Sequence, residues 1–173
     1  MKRRRHTSLK SLPALEVVDS RNTPICIMNS REVARQGLRH RMVALILRDT
    51  AKRMLLSCHT ETTAYNFSSF APVYAGQSYE ACAQNILQNE WSITSKRLLF
   101  FGIYPPCPEN RHTFTAIFEV RLRAAQTEAI AQNMERHLLL DHDELKGLTV
   151  HCKELLAPFI RVALQNGYIR RPR

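Results

Sequence analysis

Apolar and polar positions fall in short blocks along this chain, and their period switches between that of a strand and that of a helix. Leu15 to Asp19 and Ile25 to Met28 are apolar runs around Asn22-Thr-Pro24, which predicts a hairpin. Ser30 offers an N-cap for a short helix, Arg31 to Gln36, which Gly37 stops. Met42 to Leu47 and Arg53 to Ser57 flank Asp49-Thr-Ala-Lys52, a second hairpin whose first strand is apolar enough to be buried. His59 to about Ala75 is polar and irregular. From Ser78 to about Trp91, the residues Tyr79, Cys82, Ala83, Ile86, Leu87 and Glu90 recur at helical spacing, with Ser78 as N-cap.

The second half continues in the same mixed order. Arg97 to Ile103 leads into the loop Pro105 to Pro108, then a long strand from His112 to Leu122. There Phe114, Ala116, Phe118 and Val120 alternate as one inward face. A short strand near Leu138 to Leu140 precedes a helix near Asp143 to Leu148. The last helix runs from about Lys153 to Gln165, with Leu155, Leu156, Phe159, Val162 and Ala163 on one stripe. No internal repeat or low-complexity segment is visible. Strands with helices inserted at irregular intervals point to a layered α/β sandwich with a mixed sheet, not a doubly wound parallel one.

A chain of 173 residues, 45% of them hydrophobic, fits one domain with a substantial core. No apolar run approaches the roughly 18 residues that span a bilayer. The basic start, Met1 to Pro13, is followed by no apolar stretch of the signal-peptide kind. The five cysteines, Cys26, Cys58, Cys82, Cys107 and Cys152, form no C-x-x-C pair, which suits a reducing compartment. The chain therefore reads as cytoplasmic, its cysteines mostly small apolar side chains. Cys58 stands beside His59, but neighbours on a strand point to opposite faces and do not share a proton.

The net charge of +10 is unevenly placed. Lys2, Arg3, Arg4, Arg5 and Lys10 lie in the first ten residues, and Arg170, Arg171 and Arg173 in the last four. Neither end carries an acid, so eight of the ten charges sit there and the body is close to neutral. Residues 1–13 and 169–173 read as flexible basic tails, able to contact nucleic acid or simply to be solvated. No aromatic is interleaved with either basic run to stack on bases.

Three segments, in order, resemble the Nudix superfamily, in particular its subgroup related to isopentenyl-diphosphate isomerase. Glu16-Val-Val-Asp19 through Gly37-Leu-Arg-His-Arg-Met-Val43 resembles that subgroup's opening hairpin, short helix and "G-L-x-H-R" strand entry. Ala75-Gly-Gln-Ser-Tyr-Glu-Ala-Cys-Ala83 resembles the "A-G-E-S-Y-E-E-A-A" that opens the Nudix helix. Arg136 to Lys146 resembles the late strand and helix written "W-V-S-L-E-E-L". The resemblance implies a Nudix-type α/β/α sandwich over residues 14–168.

It also implies what the site has lost. In the family the Nudix-box carboxylates hold divalent metal, usually magnesium, which polarises a diphosphate and lowers the pKa of the attacking water. Anchored on Gly76 to Tyr79, this chain has Ala71 at the first box Gly and Gln77 at the first Glu. Asn85 and Ile86 replace the Arg-Glu pair, Asn89 and Glu90 occupy the paired acids, and Ser92 the last Gly. Only Glu90 survives, as a metal ligand or as a solvated helix acid. Ile86 is the sharpest loss, because an alkane cannot coordinate. Glu80 and Glu119 are the available substitutes, although Glu80 also suits a first helical turn. The isomerase's Cys and His positions are Phe70 and Pro72, and its later acids fall on Arg111 and Thr113. His40 alone matches an isomerase ligand.

Three functions stay open. The first is a binding module holding a phosphorylated or nucleotide-like ligand, or RNA, with little or no hydrolysis. Its cleft candidates are His40, Arg41, Gln77, Asn85, Asn89 and Glu90. The second is a metal-dependent hydrolase of a diphosphate-linked compound with unusual ligands, the case in which magnesium is needed. The third is a protein-interaction domain without a small ligand.

Overall fold

The computed structural model describes residues 13–58, 64–95, 97–132 and 136–171. The expectation for residues 1–12 lies outside them. Strands β1 (Ala14–Val18) and β2 (Pro24–Asn29) form the first hairpin and lead into helix α1 (Ser30–Gln36). Asn29, not Ser30, caps that helix, its Oδ1 accepting from the Glu32 amide at 2.9 Å. Gly37 ends it at φ 60°, a left-handed conformation that glycine adopts without strain.

The centre of the molecule is strand β3 (Arg41–Arg48), buried from Val43 onward. Strand β4 (Met54–Cys58) pairs antiparallel with its far end, and β6 (Ser69–Pro72) with its near half. The two partners share one edge of β3. Ser68 makes the changeover, its Oγ accepting from the Leu47 amide at 2.9 Å and donating to the Leu55 carbonyl at 2.6 Å. Along the other edge, strand β8 (Phe114–Arg121) runs parallel to β3 over its whole length, followed outward by β7 (Leu99–Tyr104). Strands β5 (Tyr65–Asn66) and β9 (His137–Leu140) pair with β4.

Both faces of the sheet are covered. Helix α2 (Tyr79–Trp91) lays Cys82, Ala83, Ile86 and Leu87 on Val43, Leu45, Leu47, Ala116, Phe118 and Val120. Helices α4 (His142–His151) and α5 (Pro158–Gln165) close the opposite face over Ala44, Ile46, Leu56 and Ile117. Helix α3 (Ala124–Ala131) joins β8 to the segment before β9. This is the α/β/α sandwich with a mixed sheet that the pattern predicts. Among the described residues no helix is long and apolar enough to cross a membrane.

Four local expectations are corrected. Residues 65–72 carry two short strands, not an irregular loop. Strand β8 is buried on both faces, because the sheet is covered on both sides. The last helix breaks at Pro158, whose missing N–H cannot continue the 3-10 turn Lys153–Leu155. Finally, the segment 169–173 does not begin as a tail. Ile169 is buried, the Arg170 carbonyl accepts from Arg48 Nη2 at 2.9 Å, and Arg171 pairs with Asp143 at 2.9 Å.

Candidate functional site

Helix α2 is the element on which the box positions lie, and its caps fix their direction. Ser78 Oγ accepts from the Ala81 amide at 3.1 Å, and Ser92 closes the helix at φ 53°. With Cys82, Ala83, Ile86 and Leu87 turned to the sheet, Gln84, Asn85, Gln88 and Asn89 face outward. Ile86 is 7% exposed and belongs to the core, as its apolar side chain demands.

Glu90 is not a free surface acid. Its Oε2 accepts from Ser69 Oγ at 2.5 Å, and Ser69 Oγ in turn accepts from Trp91 Nε1 at 2.8 Å. The Trp91 ring lies 5.3 Å from the imidazole of His137, whose Nδ1 is 3.1 Å from Ser57 Oγ. Glu90 thus anchors the end of α2 to β6, with β9 packed alongside. Burial, and secondarily the negative charge of Glu90, push the Cys82 thiol up to about 11. Cys82 is therefore almost wholly protonated at neutral pH, and only the thiolate is nucleophilic. In the folded chain iodoacetamide is expected to modify exposed Cys26 and spare buried Cys82. Labelling of the two at equal rates, read by peptide mass spectrometry, would refute that assignment.

Among the described residues the donors at the box positions do not fit magnesium, which takes several hard oxygens in near-octahedral array. Glu119 is buried against Arg48, whose Nε donates to its Oε2 at 2.6 Å. Arg48 also donates to the carbonyls of Lys52, at 3.1 Å, and Arg170. Glu80 stands exposed in the first turn of α2, where its charge favours the helix dipole. Among the described residues no three His, Cys, Asp or Glu side chains gather to hold a metal.

The six cleft candidates do not converge. His40, Arg41 and Gln77 lie at the N-terminal end of α2, about 20 Å along the helix from Glu90. His40 Nδ1 donates to the Leu38 carbonyl at 2.9 Å. Arg41 clips the β1–β2 hairpin to the sheet, donating to Glu16 Oε2 at 2.8 Å, Asn22 Oδ1 at 2.9 Å and the Asn22 carbonyl at 2.7 Å. Its guanidinium also lies 5.8 Å from the centre of the Tyr79 ring. These are structural ties. Asn85, with Gln84 and Gln88, lines a hollow of about 490 Å³ beside the loop after α2. That loop is held to the helix by Thr94 Oγ1, which donates to Gln88 Oε1 at 2.8 Å.

On the far side of the same loop opens a larger cavity, about 790 Å³, over the ends of β7 and β8. Arg97, Arg121 and Arg123 line it, with Ile93, Leu98 and Val120 beneath. The pattern along the chain does not single out these arginines, since they come from two segments, the loop before β7 and the end of β8. Arg97 stands just before an apolar run and Arg121 and Arg123 at the close of another.

This arrangement, a mixed sheet between helices with α2 laid across β3, defines a Nudix-type sandwich. Neither a protein-family model nor a curated protein matches the sequence. Solved structures do. A hypothetical Nudix protein from Deinococcus radiodurans superposes with a TM-score of 0.68 at 16% identity, over 90% of this chain and 99% of that one. A mutT/nudix family protein from Listeria innocua superposes with a TM-score of 0.56 at 17% identity, over 74% of this chain and 90% of that one. The chain has the Nudix fold.

Proposed function

We propose that this chain is a Nudix-fold binding protein that holds a phosphorylated or nucleotide-like ligand with little or no hydrolysis. The observation that carries this reading is the state of the box helix: Ile86 is in the core, and exposed Glu90 has one carboxylate oxygen bonded to Ser69 and, among the described residues, no acid beside it. Metal-assisted hydrolysis needs fixed negative charge to hold magnesium, and a metal-bound water or base in line with phosphorus. Gln77, Ile86 and Asn89 offer none of that charge, and each lost tenfold in rate corresponds to about 1.4 kcal/mol of barrier. Ligand binding itself finds support in the cavity beyond the loop after α2, which three arginines and one acid, Glu119, line. Fold alone does not choose between binding and catalysis, so the residues carry the argument.

The test is a phosphate-release assay over a broad panel of diphosphates with magnesium and manganese, beside a Glu90→Gln variant. Negligible turnover is expected from both proteins, while some of the compounds raise the melting temperature. Robust turnover that Glu90→Gln abolishes would restore the hydrolase.

A further inference from the structure

We infer that the cavity over the ends of β7 and β8 binds a phosphate monoester with an apolar or planar body, through arginines and without a metal. The inference rests on the reading that the chain binds a phosphorylated ligand, and it assigns that ligand a place and a chemistry.

Three observations converge. The first is uncompensated charge. Among the described residues the guanidinium groups of Arg97 and Arg123 have no hydrogen-bond or ion-pair partner. Arg121 is 68% exposed and comes only to 4.0 Å from Glu119, whose other carboxylate oxygen is already held by Arg48 at 2.6 Å. The cavity's one acid is thus balanced from below, and three cations are left at its mouth. A phosphate monoester is close to dianionic at neutral pH, and its oxygens match the guanidinium fork.

The second observation is shape and lining. The volume, about 790 Å³, lies within the roughly 300–1,000 Å³ of small-molecule sites. Between the arginines the wall is apolar, formed by Ile93, Leu98, Leu99 and Val120. Bare phosphate would leave this surface wet, whereas an aromatic or aliphatic body covers it. At the loop side, Ser95 Oγ accepts from the Arg97 amide at 3.2 Å and donates to its carbonyl at 3.1 Å.

The third is position. Glu90 reaches Ser69 on β6, which pairs with one edge of β3. The cavity lies over β8 and β7, beyond the other edge. Glu90 and the cavity thus lie towards opposite edges of β3, and none of the cavity's lining residues is a box position on α2.

The experiment is calorimetric titration of the full chain in EDTA with phenyl phosphate, inorganic phosphate and phenol. Phenyl phosphate is expected to bind at least about tenfold more tightly than phosphate, since burying one apolar ring exceeds 1.4 kcal/mol. Phenol is expected not to bind measurably. Arg121→Ala and Arg123→Ala should each weaken phenyl phosphate about tenfold, as loss of a charge-assisted hydrogen bond does. Arg121→Lys should recover only part of that loss. Arg31→Ala, an exposed arginine on α1, is the charge control and should bind like the parent. All three positions are solvent-facing, so melting curves can confirm that the four variants fold. If phenyl phosphate binds but the arginine variants match the parent, or binding requires magnesium, the assigned place is wrong and the phosphorylated-ligand reading stands. If neither phenyl phosphate nor any phosphorylated compound of the panel binds, both fall.

Discussion

Replacing Arg48 by Met is expected to destabilise the protein by about 3–5 kcal/mol, because it leaves buried Glu119 without its nearest counter-charge and with only exposed Arg121 at 4.0 Å. The pair is 2% and 4% exposed, so solvent screens it little. For a chain of this size a loss of that order lowers the melting temperature by roughly 10 °C. Removing one partner of a buried pair is much costlier than removing both. Arg48→Met with Glu119→Leu is therefore expected to regain most of the stability, less the two carbonyl bonds that Arg48 also makes. Urea unfolding of the four members of the cycle reads this directly. A single Arg48→Met loss below about 1 kcal/mol would mean that Glu119 finds water or protonates at little cost, against the burial described.

Placing a carboxylate at Ile86 should fail for the same kind of reason. Ile86→Glu sets an acid among Leu87, Val43 and Phe118, and is expected to cost several kcal/mol. The sign of its pH dependence follows from linkage. Burial raises the folded pKa of the new acid above its unfolded value near 4.3, so the folded state binds the proton more tightly. The variant's stability deficit is therefore smallest below about pH 4.3 and grows as pH rises through the folded pKa. Denaturation midpoints between pH 4 and pH 8, taken as differences from the parent, check it. A deficit that shrinks as pH rises would show the carboxylate reaching solvent or a cation. Phosphate release should stay negligible, because a buried acid without companions holds no magnesium.

Much of the fold can be read from residues whose role is local. Ser78 caps α2, Gly37 ends α1, and the apolar run in β3 marks the central strand, each through chemistry confined to a few neighbours. The failures lie where distant partners decide. Ser69 to Pro72 carries no apolar alternation, yet becomes a strand because β3 presents an unpaired edge to it. Helix α3 has no buried residue and so no stripe to betray it. At the site, Ile86 is legible because an alkane states its own preference. Glu90 is not, since whether an acid is solvated or held depends on Ser69, which is 21 residues away. The three arginines escape notice for the same reason: only the fold brings the α2–β7 loop against the end of β8.

The ties of Arg48 also set an order of events during synthesis. Its carboxylate partner is 71 residues further along the chain, and the carbonyl of Arg170 is 122 residues further. At roughly 5–20 residues per second, the ribosome takes on the order of ten seconds to supply the last of these acceptors after Arg48 is made. The long edge of β3 that receives β8 has no partner for more than half of that interval. An apolar strand with an open edge is a template for pairing with other chains. The nascent protein should therefore depend on a holding chaperone through this window, and slowing translation after β6 should lower its soluble yield.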